Sequence, residues 1–258
     1  MALKLECAFK VGEPSALNMW LHLLAARPDV LRPNLLCDLY GITHRVGDVA
    51  SALAGEKKQF FTVELERGYF HFSPLGAYGI ALLQIAKCVE STADADRWMD
   101  ALMPLPSFLQ GRLYDEDYDF WQNARDPLEY QARNQPYGHL PTRSNGLPPP
   151  LEQMEIDTSA NPGRRQLRMG LIEAVGSPMW LSSEFLKRAG LSESELQSQH
   201  WLNAERLTFG VLKLSVQGSP FRSANGEEGS LQDKVRHFVF RTEHDKASPS
   251  QRRTPHPP

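Results

Sequence analysis

The spacing of apolar residues predicts a strand, a helix and a hairpin near the N-terminus. Residues 4–11 alternate imperfectly between apolar and polar positions, as in a strand. Apolar residues then recur every three or four positions, which predicts a helix that begins after Pro14 and ends before Pro28. Aromatic and β-branched residues at 60–65 and 69–72 flank a turn that contains glycine, so they predict a β-hairpin.

The rest of the chain adds further helical and strand patterns without a regular alternation. Residues 76–90 and 91–103 predict two helices. The other predicted elements are a strand at 34–40, a helix at 47–54, strands at 168–175 and 207–216, helices within 180–189 and at 191–193, and a helix or strand at 230–240. This mixture predicts the α+β class, with a largely antiparallel sheet and packed helices.

A proline-rich segment separates two halves of the predicted fold. Residues 123–163 contain seven prolines, and the segment is too long for an ordinary loop. It is either an ordered arm laid over the surface or a linker, and its embedded Leu, Met and Tyr residues favour the arm. We therefore predict one compact unit at 1–245, with halves 1–122 and 164–245 joined by this arm. Residues 246–258 are polar and proline-rich, which predicts a disordered tail.

Composition narrows the classes of function. Of the 258 residues, 41% are hydrophobic, and the net charge is −3, so the balance is not that of a nucleic-acid binder or of a protein that seeks anionic membranes. The N-terminal apolar run is broken by charges, and no run is long enough to span a bilayer. Three widely spaced cysteines are typical of reduced thiols. We expect a soluble, cytoplasmic protein.

One motif resembles a catalytic signature. Asp157-Thr158-Ser159 follows an apolar residue, as in aspartic proteases, but that chemistry needs two carboxylates, which here would require a homodimer. The alternative is a turn in which Asp157 and Ser159 bond nearby backbone amides. A hydrolase that uses Asp157 therefore remains one hypothesis. The arginines that follow could bind a phosphate or a carboxylate: Arg164, Arg165 and Arg168.

No metal or cofactor site is predicted. The eight histidines show no metal-ligand spacing, and phosphate-binding and dinucleotide-binding glycine motifs are absent. Asp115, Asp117 and Asp119 alternate as in the start of an EF-hand loop, but the required glycine and later glutamate are missing.

The most distinctive segment is acidic and aromatic. Residues 94–130 contain nine acids and three bases, a net charge of −6. Acids steer a basic partner and aromatic side chains anchor an interface, so this segment would suit an inhibitor of a nuclease. The alternative is a solvated helix or loop whose aromatic side chains pack inward. The predicted contact residues are Tyr114, Asp115, Glu116, Asp117, Tyr118, Asp119 and Trp121.

Part of the chain resembles a family of bacterial immunity proteins. The likeness lies within residues 110–185, in the strings RLYDEDYDFWQNARDPLEY and SNGLPPPLEQMEIDTSANPGRRQLRMGLIEAVGSPMWLSSEF. These immunity proteins are encoded beside type VI secretion toxins, notably nucleases of the restriction-endonuclease-like class. The resemblance implies a non-enzymatic protein that neutralises a cognate toxin. An effector-loading adaptor is another hypothesis, and the sequence leaves the oligomeric state open.

Overall fold

The computed structural model describes residues 2–56 and 58–241, and a large antiparallel sheet forms its centre. Within these residues the strands are β1 (Leu3–Lys10), β2 (Leu36–Leu39), β3 (Ile42–Arg45), β4 (Phe61–Leu65), β5 (Gly68–Leu75), β6 (Ile80–Ala86), β7 (Phe108–Asp115), β8 (Thr142–Ser144), β9 (Met154–Ile156), β10 (Gln166–Arg168), β11 (Leu171–Glu173), β12 (Met179–Ser182), β13 (Asn203–Arg206) and β14 (Val211–Ser215). The helices are α1 (Ala16–Ala26), α2 (Val49–Glu56), α3 (Thr92–Leu102), α4 (Glu116–Asn123), α5 (Pro127–Ala132), α6 (Ser183–Ala189), α7 (Glu193–Gln197) and α8 (Gly226–Phe240).

Ten strands form the central sheet, in the order β13-β14-β12-β7-β1-β6-β5-β4-β2-β3. Each neighbouring pair is antiparallel, so the predicted α+β class with a largely antiparallel sheet is confirmed. Strands β12 to β14 extend the sheet that the N-terminal half begins. The other four strands form two separate hairpins, β8 with β9 and β10 with β11.

Strand β1 lies in the middle of this sheet and is covered on both faces. Leu5, Cys7 and Phe9 belong to the main hydrophobic core on one face, whereas Ala8 packs in a smaller cluster on the other. Glu6 is also buried on that second face, although it carries a charge. Full burial of a strand with an alternating sequence means that its charged positions need partners inside the protein.

Helices α1, α2 and α3 cover one face of the sheet. Ser15 caps α1 by accepting a hydrogen bond from the Asn18 backbone N–H at 3.2 Å. The indole of Trp20 then packs edge-on against Phe61, with ring centroids 5.6 Å apart. Phe70 lies between Trp20 and Trp98 of α3, so aromatic contacts join two helices to the sheet.

The C-terminal half covers part of the opposite face. Met179 and Leu181 of β12 pack with side chains from α6 and α8 in a second core. The rings of Phe185 and Phe240 meet edge-on at 6.1 Å and join these two helices. The sheet is therefore enclosed between helices from the N-terminal half and helices from the C-terminal half.

In the middle of the chain one prediction was wrong and one strand was missed. The predicted helix at 76–90 is strand β6, because its apolar run is buried on both faces of the sheet. A continuous apolar run has no alternation that would distinguish a buried strand from a helix. Strand β7 was not predicted, and all eight of its residues are buried, including Gln110 and Arg112.

Two predicted strands are shorter than expected because turns interrupt them. The predicted strand at 168–175 is the hairpin β10–β11, which turns at Gly170 with a φ of +78°. The predicted strand at 207–216 begins at Val211, since residues 208–210 form a 3₁₀ turn with positive φ at Phe209 and Gly210. The predicted disordered tail, 246–258, lies outside the described residues.

Candidate functional site

The predicted contact segment begins where β7 ends and α4 starts. Asp115 caps the helix, because its Oδ1 accepts a hydrogen bond from the Tyr118 backbone N–H at 3.0 Å. The side chains of Glu116, Asp117 and Asp119 follow in the first turn, where the helix dipole favours negative charge. The density of acids therefore has a structural cause. It also means that Asp115 is engaged within the protein.

The acids of this segment differ in exposure. Asp117 is exposed and Glu116 is partly exposed, so both are available to a partner. Asp119 instead accepts a hydrogen bond from Arg112 Nη1 at 2.8 Å. Two of the four predicted contact acids therefore remain as candidate steering charges on the surface.

The three predicted contact aromatics mostly face inward. Tyr114 is buried beneath the guanidinium of Arg112, whose Cζ lies 4.0 Å from the ring centroid. The Tyr118 hydroxyl donates a hydrogen bond to Gln232 Oε1 of α8 at 2.5 Å. Trp121 is partly buried against Tyr130, with ring centroids 4.8 Å apart. These positions correspond to the alternative in which the aromatic side chains pack inward.

A buried charge network connects this segment to the centre of the sheet. Arg112 Nε donates to Glu6 Oε1 at 2.9 Å, and Gln84 Nε2 donates to Glu6 Oε2 at 2.9 Å. Burial alone would raise the pKa of Glu6, but the charges of Arg112 and Arg165 overcome it and lower the pKa from 4.5 to about 2. Glu6 therefore stays ionised inside the protein. Its contacts with Arg112 and Arg165 hold β1 against β7 and against the loop at 164–165.

A second buried pair holds α8 against the other elements. Arg236 Nη1 donates to Glu173 Oε1 at 2.7 Å, and Arg236 Nε donates to the Pro162 carbonyl at 3.0 Å. Burial, followed by the nearby charge of Arg164, lowers the pKa of Arg236 to about 10. Arg236 also donates to the backbone carbonyl of Arg164. Helix α8 is therefore hydrogen-bonded to the chain at the end of the proline-rich segment.

The C-terminal end of α4 forms hydrogen bonds to residues 161–165, where the proline-rich segment ends. Gln122 Oε1 accepts from the Gly163 N–H at 3.0 Å, and Asn161 Nδ2 donates to the Gln122 carbonyl at 2.9 Å. Asn123 Oδ1 accepts from the Arg165 N–H at 2.6 Å. A Cβ at Gly163 would lie 2.5 Å from Gln122 Cγ, so the contact is close enough to require glycine.

Aromatic packing holds the middle of the proline-rich segment in place. Trp121 and Phe120 of α4 pack with Tyr130, Tyr137 and Ile156 in a cluster of their own. Residues 123–163 include a short helix, α5, and the hairpin β8–β9. In the structure this segment is thus an arm with secondary structure, packed against α4.

The tip of the β8–β9 hairpin is a loop organised by one asparagine. Asn145 Oδ1 accepts from the N–H groups of Leu147 at 3.1 Å and Gln153 at 3.2 Å. Its Nδ2 donates to the Leu151 carbonyl at 3.0 Å, and its own N–H donates to the Gln153 carbonyl at 2.9 Å. Three successive prolines between these residues restrict the backbone further. The loop therefore has a defined shape.

This loop displays apolar side chains to solvent. Leu147, Leu151 and Met154 are 51%, 62% and 56% exposed. We call residues 145–154 the apolar loop. Leu128, on α5 of the same arm, is 64% exposed. Single exposed apolar residues are common on proteins, but three on one ordered loop mark a candidate contact surface.

In the part of the chain that the structure describes, the Asp157 side chain stabilises a turn instead of forming a catalytic pair with another carboxylate. Its Oδ1 accepts from the Ser159 N–H at 2.9 Å, and this bond is the leading reason why the pKa of Asp157 is lowered. Within residues 2–56 and 58–241, its charged contacts are with arginines, and Arg143 Nη1 lies 3.6 Å away. A carboxylate held ionised in this way does not favour the shared proton of an aspartic-protease pair.

The described residues contain no group of three or more His, Cys, Asp or Glu side chains that could hold a metal ion. The EF-hand-like acids begin helix α4 instead of forming a loop. The cysteines in this part of the chain are unpaired, and burial raises the pKa of Cys37 and Cys88 to about 11. Such thiols are poor nucleophiles and poor metal ligands at neutral pH.

The residues at the centre of these networks were not predicted as site residues. Glu6, Arg112 and Arg236 are buried, yet they were read only as part of strands, charge counts or helices. The signal available was a charged residue inside an apolar strand, as in LKLECAF and FLQGRLY. Because a buried charge needs a partner, a charged residue inside one apolar strand predicts an oppositely charged residue close to it in the fold.

Comparison with known proteins gives a fold and no family. No family model matches the chain, and no curated protein matches it. A solved structure of a T6SS (type VI secretion system) protein from Pseudomonas aeruginosa is similar, with a TM-score of 0.54 and 12% identity over 92% of this chain and 73% of that one. At this identity the likeness shows a shared fold. None of the described helices is both long and apolar enough to cross a membrane.

Proposed function

We propose that the protein is a non-enzymatic immunity protein that binds and neutralises a cognate secreted toxin, a nuclease. The observation that carries the proposal is the apolar loop, which is exposed, ordered and carried by an arm that packs against α4. The sequence resemblance to immunity proteins supports it. So does the fold shared with a T6SS protein of Pseudomonas aeruginosa.

The construction of the apolar loop suits a tight interface. Ordering a loop on binding costs free energy, and a loop that is already ordered avoids most of that cost. The four hydrogen bonds of Asn145 and the three prolines supply this order. Leu147 and Leu151 then act as anchors that enter apolar pockets of the toxin.

The predicted contact residues divide into two roles in this proposal. Glu116 and Asp117 are the steering charges, because they are the ones that reach solvent. The other predicted contact residues support the surface from inside: Tyr114, Asp115, Tyr118, Asp119 and Trp121. Trp121 does so most directly, since it packs against the arm that carries the apolar loop.

Capture of the toxin from the native bacterium tests the proposal. The protein serves as bait, and proteins that stay bound after a high-salt wash are identified by mass spectrometry. We expect one dominant partner with a toxin domain, encoded beside this protein. Absence of a stable partner would contradict the proposal.

A second comparison separates the immunity role from the two alternatives. Asp157→Asn should leave toxin neutralisation intact, because Asp157 caps a turn in this account. Loss of an enzymatic activity in that variant would instead support the hydrolase. Binding of the captured protein without protection of cells would support the effector-loading adaptor.

A further inference from the structure

Five arginines surround one cavity at the base of the arm. The cavity has a volume of about 250 Å³, and its arginines come from three separate stretches of the chain. They are Arg125 between α4 and α5, Arg143 of β8, Arg164 and Arg165 before β10, and Arg168 of β10. Arginines that are distant from one another in the sequence therefore line one cavity together.

The charge of this lining is strongly unbalanced. Among the residues that the structure describes, Glu173 is the single carboxylate that lines the cavity, and Arg236 Nη1 already binds it at 2.7 Å from the buried side. Arg168 also pairs with Glu173. The carboxylates that balance the other arginines lie outside the lining. Glu155 pairs with Arg143, and Glu6 pairs with Arg165.

The arginines have more hydrogen-bond donors than these partners use. Each guanidinium has five N–H donors. Arg143 uses Nε for Glu155 at 2.9 Å, and its Nη1 lies 3.6 Å from Asp157, beyond hydrogen-bond distance. Arg164 uses Nη1 for the Asn161 carbonyl at 3.0 Å. Arg165 uses Nε for Glu6 at 3.3 Å, and Arg164 and Arg168 form ion pairs with Glu173. The other side-chain N–H groups of the five arginines make no hydrogen bond within residues 2–56 and 58–241.

A buried hydroxyl adds an independent observation. Thr158 lines the cavity at 3% exposure, and its side chain makes no hydrogen bond to residues 2–56 or 58–241. The Thr158 hydroxyl is not one of the fully buried polar atoms that lack a partner, so it is accessible from the cavity and can donate a hydrogen bond to a ligand oxygen there. The positive potential of this region also contributes to the lowered pKa of Arg236 near Arg164.

We propose that this cavity is a binding site for a phosphate group. A phosphate presents several oxygens in three dimensions and carries up to two charges, so it can bond guanidinium groups from several segments and the Thr158 hydroxyl together. A carboxylate has two oxygens in one plane and satisfies one or two arginines. The phosphate comes either from an inorganic ion or from a small phosphate ester. This inference does not depend on the proposed immunity function.

Titration calorimetry at constant low ionic strength tests the site. The probes are inorganic phosphate, pyrophosphate and glycerol 3-phosphate, with citrate as the carboxylate control and chloride as the salt control. We expect saturable binding of at least one phosphate probe. The double variant Arg143→Gln/Arg168→Gln should weaken it by about tenfold or more, since two charged donors are lost. Pyrophosphate against glycerol 3-phosphate distinguishes the inorganic source from the ester source.

One control variant and one shape-preserving variant distinguish loss of the binding site from loss of the fold. Arg206→Gln removes an exposed arginine that pairs with Glu193 and does not line the cavity, and it should leave the affinity unchanged. Thr158→Val keeps the side-chain shape and should weaken binding while circular dichroism stays that of the wild type. Failure of every phosphate probe to bind above the chloride control would overturn the proposal. So would tighter binding of citrate, or phosphate binding that the arginine variants leave unchanged.

Discussion

The buried pair of Glu6 and Arg112 gives the sharpest stability prediction. Arg112→Met removes the guanidinium but keeps a long apolar side chain in the same space. Glu6 would then be buried with Arg165 as its remaining charged partner, and Asp119 would lose its bond of 2.8 Å. Removing one partner of a buried ion pair costs about 3–5 kcal/mol. Since domains are commonly stable by about 5–15 kcal/mol, this is a large fraction of the total.

Urea unfolding followed by tryptophan fluorescence measures the effect. We expect the midpoint of Arg112→Met to fall while the slope stays close to wild type, because the same surface is exposed on unfolding. Glu6→Gln/Arg112→Met should be more stable than Arg112→Met alone, because the double variant no longer buries a carboxylate that has lost one of its two arginine partners. The matched control is Arg206→Met, which breaks an exposed pair and should cost at most about 1 kcal/mol.

Two results would refute this reasoning. The first is an Arg112→Met variant whose free energy of unfolding lies within about 1 kcal/mol of wild type. The second is a double variant no more stable than Arg112→Met. Either would mean that the Glu6 carboxylate does not need Arg112 inside the fold.

Three further predictions use the same structure. The folded pKa of Glu6 is about 2, below its ordinary value of 4.5, so the stability that ionised Glu6 contributes is present above pH 4.5 and is lost as pH falls towards 2. This loss is about 3 kcal/mol, and it should be absent from Glu6→Gln in acid unfolding curves. Gly163→Ala should cost about 1–3 kcal/mol in urea unfolding, because its Cβ would lie 2.5 Å from Gln122 Cγ. Gly138→Ala has no atom within 4 Å of its Cβ and should be neutral by the same assay. Glu116→Lys/Asp117→Lys should slow toxin association in stopped-flow measurements and reduce its salt dependence, and an unchanged rate would remove these acids from the interface.

Local patterns predicted the parts of the fold that have one buried face. The first helix and the 61–75 hairpin show this, since each presents a clear apolar period. Strand β6 was predicted as a helix because it is buried on both faces, and only its position in the centre of the sheet explains that. Burial by distant segments leaves no local period in the sequence.

The candidate site was harder to predict than the fold, for a related reason. An acidic and aromatic segment has the composition of an interface, but β7 and α4 turn most of those side chains inward. Asp119 looks like a surface charge until Arg112, seven positions earlier, is placed beside it. The apolar loop was not predicted as a contact surface, because the composition of its segment favours an ordered arm but does not show which of its side chains are exposed. Its order comes from Asn145 and from packing of the arm on α4.

The affinity of the captured toxin for variants of the apolar loop tests the central claim most directly. Leu147→Ser/Leu151→Ser would be compared by titration calorimetry with Leu36→Ser, which changes the same residue type on β2 at 61% exposure. All variants should unfold close to wild type, because these side chains are exposed. The account predicts a loss of affinity of about tenfold or more for the loop variant and none for Leu36→Ser. Equal affinities for wild type and the loop variant would contradict it.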